Sequence, residues 1–438
     1  MALVVAALAS LIPSFGAGVH SLSAGIIISS MQTLLRNAMI VDATAPEPRP
    51  GNVLVEDGMI RDVDAKRPSG ECETIDVAGR TVMPGLIDCH VHVVASLMDI
   101  AANAQLPAAT AVLRSVPILK GMLERGFTTV RDLGGAPYAL AEAIAQGLAV
   151  GPRLFVCGKA LSKTGGHSDA RPRNDTHDAN RWAGNFGALG RIADGVDEVR
   201  RACREMLREG ASFIKVMANG GVASPTDPVH WFGYSVEELK AAVEEARDAH
   251  TYVAAHLYTA EGIVRAVECG VKTLEHCNRV DAGAARLAAE AGCVAVPTLV
   301  TYEALAEDGP GLGLPAASVE KIESVRKAGL ESLAILRDAG VTMAFGTDLL
   351  GPTHVRQSEE FRIRAQVLGA REILASATLV GAELVGMEGR LGVVAEGAIA
   401  DLLVVEGSPL EDIAVLAEPR KNLRMVMKEG VVQYRAGV

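Results

Sequence analysis

The chain has 438 residues, with 53 Asp and Glu against 42 Lys and Arg and a formal net charge of −11. An acidic balance with an isoelectric point near 5.5 excludes the basic face that a nucleic-acid binder needs and directs attention to small-molecule partners. Hydrophobic residues make up 49% and aromatics only 4%, which fits a large aliphatic α/β core with an accessory domain rather than one minimal domain.

In chain order, residues 1–30 come first, with an apolar block from Ala2 to Pro13, a small-residue stretch from Ser14 to Gly25, and no Lys, Arg, Asp or Glu before Arg36. The apolar block suits a signal peptide but lacks the basic start of one. The alternative is an upstream extension with the natural start at Met31. The expected compartment is the cytoplasm, or the exterior if residues 1–30 act as a signal. The block is too short for a membrane span, which needs about 20 residues.

From Thr33 to Val82, short alternating segments are broken by Pro46, Pro48, Pro50-Gly51 and Asp57-Gly58, the pattern of antiparallel strands with tight turns. Ala400 to Val405 and Leu423 to Val432 have the same character. Residues 31–82 and 390–438 are therefore expected to form one small β-sandwich domain from both chain ends.

Between them, over residues 83–389, apolar strands alternate with amphipathic helices. Strands are expected at 86–93, 128–133, 153–157, 213–218, 252–257, 273–277, 294–299 and 342–347. Ser235-Val236-Glu237-Glu238 reads as a capping box, followed by Leu239, Ala242, Val243 and Ala246 on one helical face. Val196 to Glu209 is a second helix, with Val199, Cys203, Met206 and Leu207 inward and Gly210 as its stop. Strand–helix units in series predict an α/β fold of the (β/α)8 TIM-barrel type. A doubly wound sheet is the rival, weakened because no Gly-x-Gly-x-x-Gly turn follows a strand. The seven cysteines have no Cys-x-x-Cys spacing and are expected to be reduced and buried.

In a barrel of this kind the active site lies at the C-terminal ends of the strands. His90 and His92 share a strand face about 6 to 7 Å apart, which is chelating geometry. Lys215, His256, His276 and Asp348 fall at the same end of later strands. Singly, each histidine is explained by core hydrogen bonding, Lys215 by an ion pair and Asp348 by turn capping. Independent structural roles would not place them all at one mouth. The long connection from Lys159 to Gly195 is read either as a solvated loop or as a binding loop, with His167 after Gly165-Gly166 as its functional candidate. Tyr258 lies on the His256 face, either to bind a substrate carboxylate or to pack at the rim. Arg131, Asp132 and Asn219 are read either as groups supporting the site or as simple structural pairs, and His230 and His354 either line the mouth or, as expected, are solvated loop histidines.

Met83-Pro84-Gly85-Leu86-Ile87-Asp88-Cys89-His90-Val91-His92 resembles the strand-one signature of the metal-dependent amidohydrolase superfamily. Phe213 to Met217, Ala255-His256, Glu275-His276, Gly346-Thr347-Asp348 and the tail Gly397 to Leu402 fit the same pattern. The resemblance is greatest to the branch of Xaa-Pro dipeptidases, related carboxypeptidases and ochratoxin-hydrolysing amidohydrolases, with imidazolonepropionases more distant. It implies two divalent metal ions: His90, His92 and Asp348 on the first, His256 and His276 on the second, and a carboxylated Lys215 bridging them. A carbamate turns a cationic amine into an anionic ligand for both ions. Zinc suits imidazole and carboxylate, although ligand type also admits manganese, cobalt or iron. Asp348 would be the catalytic proton carrier, with His167, in a Gly-Gly-His loop like the family's, and Tyr258 on the substrate. The expected substrate is a dipeptide or N-acyl amino acid with a free carboxylate, and the expected state is a homo-oligomer. The alternatives are a cyclic-amide or lactone hydrolase, a Lys215 Schiff-base aldolase, which leaves the histidines unexplained, and a non-catalytic scaffold.

Overall fold

The computed structural model describes residues 32–65, 71–224, 226–312 and 316–436. The apolar segment of residues 1–30 and the alternative start at Met31 lie outside the described residues.

The proline- and glycine-punctuated segments at the two chain ends meet in one eight-stranded sheet. Its centre is Thr81–Pro84, paired antiparallel with Leu402–Val405 so that Met83 lies opposite Leu403. Gln32–Ile40 runs antiparallel to Arg49–Glu56 and parallel to Cys72–Asp76. Period-two alternation turns Leu35, Val53, Val82, Leu402 and Met425 into a common core.

The middle of the chain is parallel, with helices between its strands. Each expected strand has a counterpart: Leu86–Val91, Phe127–Asp132, Arg153–Val156, Ile214–Met217, Val253–Thr259, Thr273–Arg279, Val294–Val296 and Thr342–Met343. The last two are shorter than the apolar runs that predicted them. Pro297, which has no N–H to donate, ends the first. In the second, the backbone past Met343 turns to other acceptors, Phe345 N–H to Ser376 O at 3.0 Å and Asp348 N–H to His90 O at 2.8 Å.

Two elements were not foreseen. Ala160–Ser162 and Gly190–Ile192, both in the long connection after the third strand, join the parallel ladder. The ladder falls into a three-stranded and a seven-stranded part, in sequence order apart from Gly190–Ile192 at one edge. At one seam the third strand bends at Gly158, where φ is +71°, and resumes as Ala160–Ser162 against Ile214–Met217. At the other, Cys89 N–H donates to Phe345 O at 2.7 Å.

The helices follow the sequence signals. Ser235 and Glu238 form a reciprocal capping box on Val236–Asp248, and Gly210 follows Val196–Arg208 with φ of +93°. Cys72 is half-buried, and the other six cysteines are buried free thiols. Among the described residues, no helix is long and apolar enough to cross a membrane.

Phe127, Phe345 and Phe361 stack with ring centroids 4.5 to 6.3 Å apart, in a cluster that continues through Leu403, Leu423 and Val426 of the accessory sheet. Phe361→Ala is expected to cost roughly 3–5 kcal/mol. Because the core is shared, denaturant titration should show the sheet and the parallel part unfolding in one earlier transition.

Candidate active site

His90 and His92 close the first parallel strand with their rings 5.5 Å apart. Both direct Nε2 at one oxygen: Asp348 Oδ1 lies 3.3 Å from His90 and 3.1 Å from His92. Asp348 reaches this point from a left-handed backbone, with φ of +53°. His276 is also left-handed, with φ of +70°, at a ladder irregularity opposite Leu257 to Thr259. A bulge of this kind re-aims a side chain. The His276 ring comes within 4.8 Å of His90 and 4.6 Å of His256, and its Nδ1 lies 3.8 Å from Asp348 Oδ2.

Lys215 projects from Ile214–Met217 and is buried. No hydrogen bond to its ammonium is found among the described residues. Burial pulls its pKa down, opposed by the Glu275 and Asp348 carboxylates. Burial likewise holds His256 and His276 neutral, well below the usual imidazole range. Burial alone would raise the Asp348 carboxyl, but His90 and His92 outweigh it and keep the group ionised. The neutral imidazoles of His256 and His276, the Asp348 carboxylate and the buried Lys215 amine form a donor set that would suit divalent cations if the amine were converted to an anion. Ligand atoms of His90, His276 and Asp348 lie within 4.8 Å of one another, close enough to share an ion.

Each histidine is oriented through a ring nitrogen. His92 Nδ1 donates to Gly134 O at 2.9 Å, His256 Nε2 to Gly220 O at 3.2 Å, and His276 Nδ1 pairs with Thr298 Oγ1 at 2.8 Å. His90 Nδ1 instead donates to a carboxylate, Glu275 Oε2, at 2.8 Å. The sequence reading missed Glu275 because strand alternation sends neighbours to opposite faces, and the left-handed turn at His276 lets both point inward. Arg131, named as a supporting group, holds Glu275 Oε1 at 2.8 Å. Asp132 accepts the Val93 N–H at 2.7 Å, fixing the chain just after His92. Asp88, also missed, ties the first strand to the last by accepting from Thr347 Oγ1 at 2.6 Å and Gln357 Nε2 at 2.9 Å.

Of these groups His92, His256 and Asp348 line a cavity of about 260 Å³, together with His167, Tyr258 and Trp182 among others. His167 stacks on His256 with centroids 4.2 Å apart. Its Nδ1 meets Ser224 Oγ at 2.7 Å, with Asp227 Oδ2 at 3.5 Å, so its Nε2 is left for the cavity. A Cβ on Gly221 would stand 1.8 Å from that ring, so the close approach requires glycine there. Tyr258 packs edge-on against His256 with centroids 4.8 Å apart, and Tyr302 donates to its hydroxyl at 3.0 Å. Asn219 Oδ1 accepts the Tyr258 N–H at 2.9 Å. His230 is exposed as expected. His354 is not: it is buried, with Nε2 bonded to Ala95 O at 3.0 Å, because the 3-10 turn Gly351–Arg356 folds under the first strand's end.

The amidohydrolase family profile matches residues 81–432. The chain is 36% identical over 371 residues to ochratoxinase of Aspergillus niger, covering 82% of this chain and 76% of the relative. Among solved structures it is similar to a prolidase complexed with N-methylphosphonate-L-proline, at TM-score 0.91 and 50% identity over 92% of this chain and 100% of the other. It is also similar to a Xaa-Pro dipeptidase with bound methionine in the active site, at TM-score 0.82 and 30% identity over 92% and 100%.

Gly221→Ala should drive the His167 ring off His256 and shift the imidazole C–H resonances of both in NMR spectra. Gly184→Ala, whose added carbon meets nothing within 4 Å, should leave them in place.

Proposed function

Because the chain belongs to the amidohydrolase family, we propose that it is a binuclear metal-dependent hydrolase acting on Xaa-Pro-like dipeptides or N-acyl amino acids with a free carboxylate. Action on amide bonds is common to its family and relatives. The observation that carries the finer reading is the convergence of His90 and His92 Nε2 on Asp348 Oδ1, at 3.3 and 3.1 Å, on the floor of the cavity.

His90, His92 and Asp348 would hold one divalent ion and His256 and His276 the other, with a carboxylated Lys215 spanning them. Zinc is the metal of this proposal, because imidazole and carboxylate ligands suit it. When bound, the ions supply Lewis acidity to the scissile carbonyl and acidify a water toward neutral pH. Asp348, kept ionised by its histidine neighbours, takes a proton from the attacking water and hands it to the leaving amine nitrogen. His167 presents Nε2 to the substrate while Ser224 holds its other nitrogen. Tyr258 accepts from Tyr302 and so keeps its own proton for the substrate carboxylate. The burial of the floor excludes bulk water and strengthens each of these contacts.

The architecture is read with the same residues. Residues 83–389 form a closed (β/α)8 barrel, a reading supported by the Gly158 bend at one seam and the Cys89–Phe345 hydrogen bond at the other. Residues 31–82 and 390–438 form a β-sandwich, supported by the enclosed core of their sheet. Buried free thiols fit the reducing cytoplasm, and the exposed Leu113, Leu148 and Val150 fit a homo-oligomer.

Zinc-loaded protein should hydrolyse Xaa-Pro or N-aroyl amino acids and lose activity on chelation. Cleavage of cyclic imides or lactones alone would overturn the peptidase reading. Asp348→Asn is expected to lower kcat by about 10²- to 10⁴-fold. Tyr258→Phe should instead act mainly on KM, by about 10-fold or more, because it removes one hydrogen bond to a charged group. Steady-state kinetics separates the two.

A further inference from the structure

The four histidines of the site differ in what holds them. His92 and His256 are fixed by peptide carbonyls and His276 by a hydroxyl, all neutral groups. His90 is fixed by Glu275, whose side chain is fully buried. A carboxylate only accepts, so Nδ1 of His90 donates to Glu275, and Nε2 is the nitrogen turned toward Asp348.

Glu275 is itself fully engaged. Its Oε1 receives Arg131 Nη2 at 2.8 Å and Thr273 Oγ1 at 2.7 Å, while Oε2 receives His90. Arg131 is buried as well. Its Nε donates to Cys89 O at 2.7 Å, just before His90 in the chain, and its guanidinium carbon lies 5.0 Å from the centre of the Phe213 ring. The chain Arg131–Glu275–His90 therefore crosses the interior under the cavity with its atoms fixed at both ends. A carboxylate behind an imidazole raises its donor strength and locks its orientation.

Building on the ligand set proposed above, we infer that Glu275 is a positioning residue that makes the ion held by His90, His92 and Asp348 the more tightly bound of the two, so that the ions load and leave in a fixed order. The His256–His276 position, whose rings hydrogen-bond to the neutral Gly220 carbonyl and Thr298 hydroxyl, fills second and empties first.

The test is competition of the zinc-loaded full-length protein with a chromogenic chelator, following zinc release alone. The wild type should release zinc in two resolved steps. Glu275→Gln should weaken the tighter step by about 10- to 100-fold and leave the weaker step unchanged, whereas Thr298→Val should move only the weaker one. Two wild-type steps that Glu275→Gln leaves untouched, or moves equally, would overturn the inference while leaving the metal reading intact. A wild type that retains no zinc would overturn the metal reading itself. If Glu275→Gln does not fold, Arg131→Lys serves instead. It keeps the buried charge but loses the guanidinium fork, and the same selective loss is expected, with no change counting against the inference.

Discussion

A parallel strand can aim only alternate side chains at the barrel axis, and this site needs more than that from two of its strands. The left-handed residues His276 and Asp348 break the alternation. At His276 the backbone turns so that Glu275 and His276 both face inward, one gripping His90 and the other standing beside Asp348. At Asp348 the turn places one carboxylate oxygen between two imidazoles. Left-handed backbone outside glycine costs of order 1–3 kcal/mol per residue and persists where the surroundings over-determine it. Here they do: Asp348 N–H is bound to His90 O, and His276 is held by Thr298.

Packing ionisable groups so closely in a dry interior would be costly if any were left unmatched. Arg131 and Glu275 neutralise each other beneath the histidines, and burial holds His256 and His276 in the uncharged form that binds cations. Lys215 is the group whose ammonium finds no hydrogen bond among the described residues. Burial draws its pKa down while the Glu275 and Asp348 carboxylates oppose the shift.

The cavity above this floor is shaped by loops. Gly221 yields the space in which His167 lies flat on His256, and the Tyr302–Tyr258 pair turns a second hydroxyl toward the same space. A fold does not by itself fix a substrate, and these loop contacts are what gives this cavity its own shape.

Much of this was legible beforehand. The apolar runs located the parallel strands other than Ala160–Ser162 and Gly190–Ile192, because period and length survive without tertiary context. The histidines, Lys215 and Asp348 were named as candidates because strand ends are where barrel chemistry gathers. The pairing of the two chain ends followed from their common turn chemistry. What could not be read was set by contacts across long sequence separations. The kinked third strand, the burial of His354 under Ala95, the Arg131–Glu275–His90 chain and the seat of His167 on Gly221 each join residues tens to hundreds of positions apart. Local pattern determines which segments are strands and which side chains are available. Only the closed packing of the chain decides the backbone turns and partners that bring those side chains onto one floor, because left-handed residues and buried ion pairs are stable only where the surrounding structure holds them.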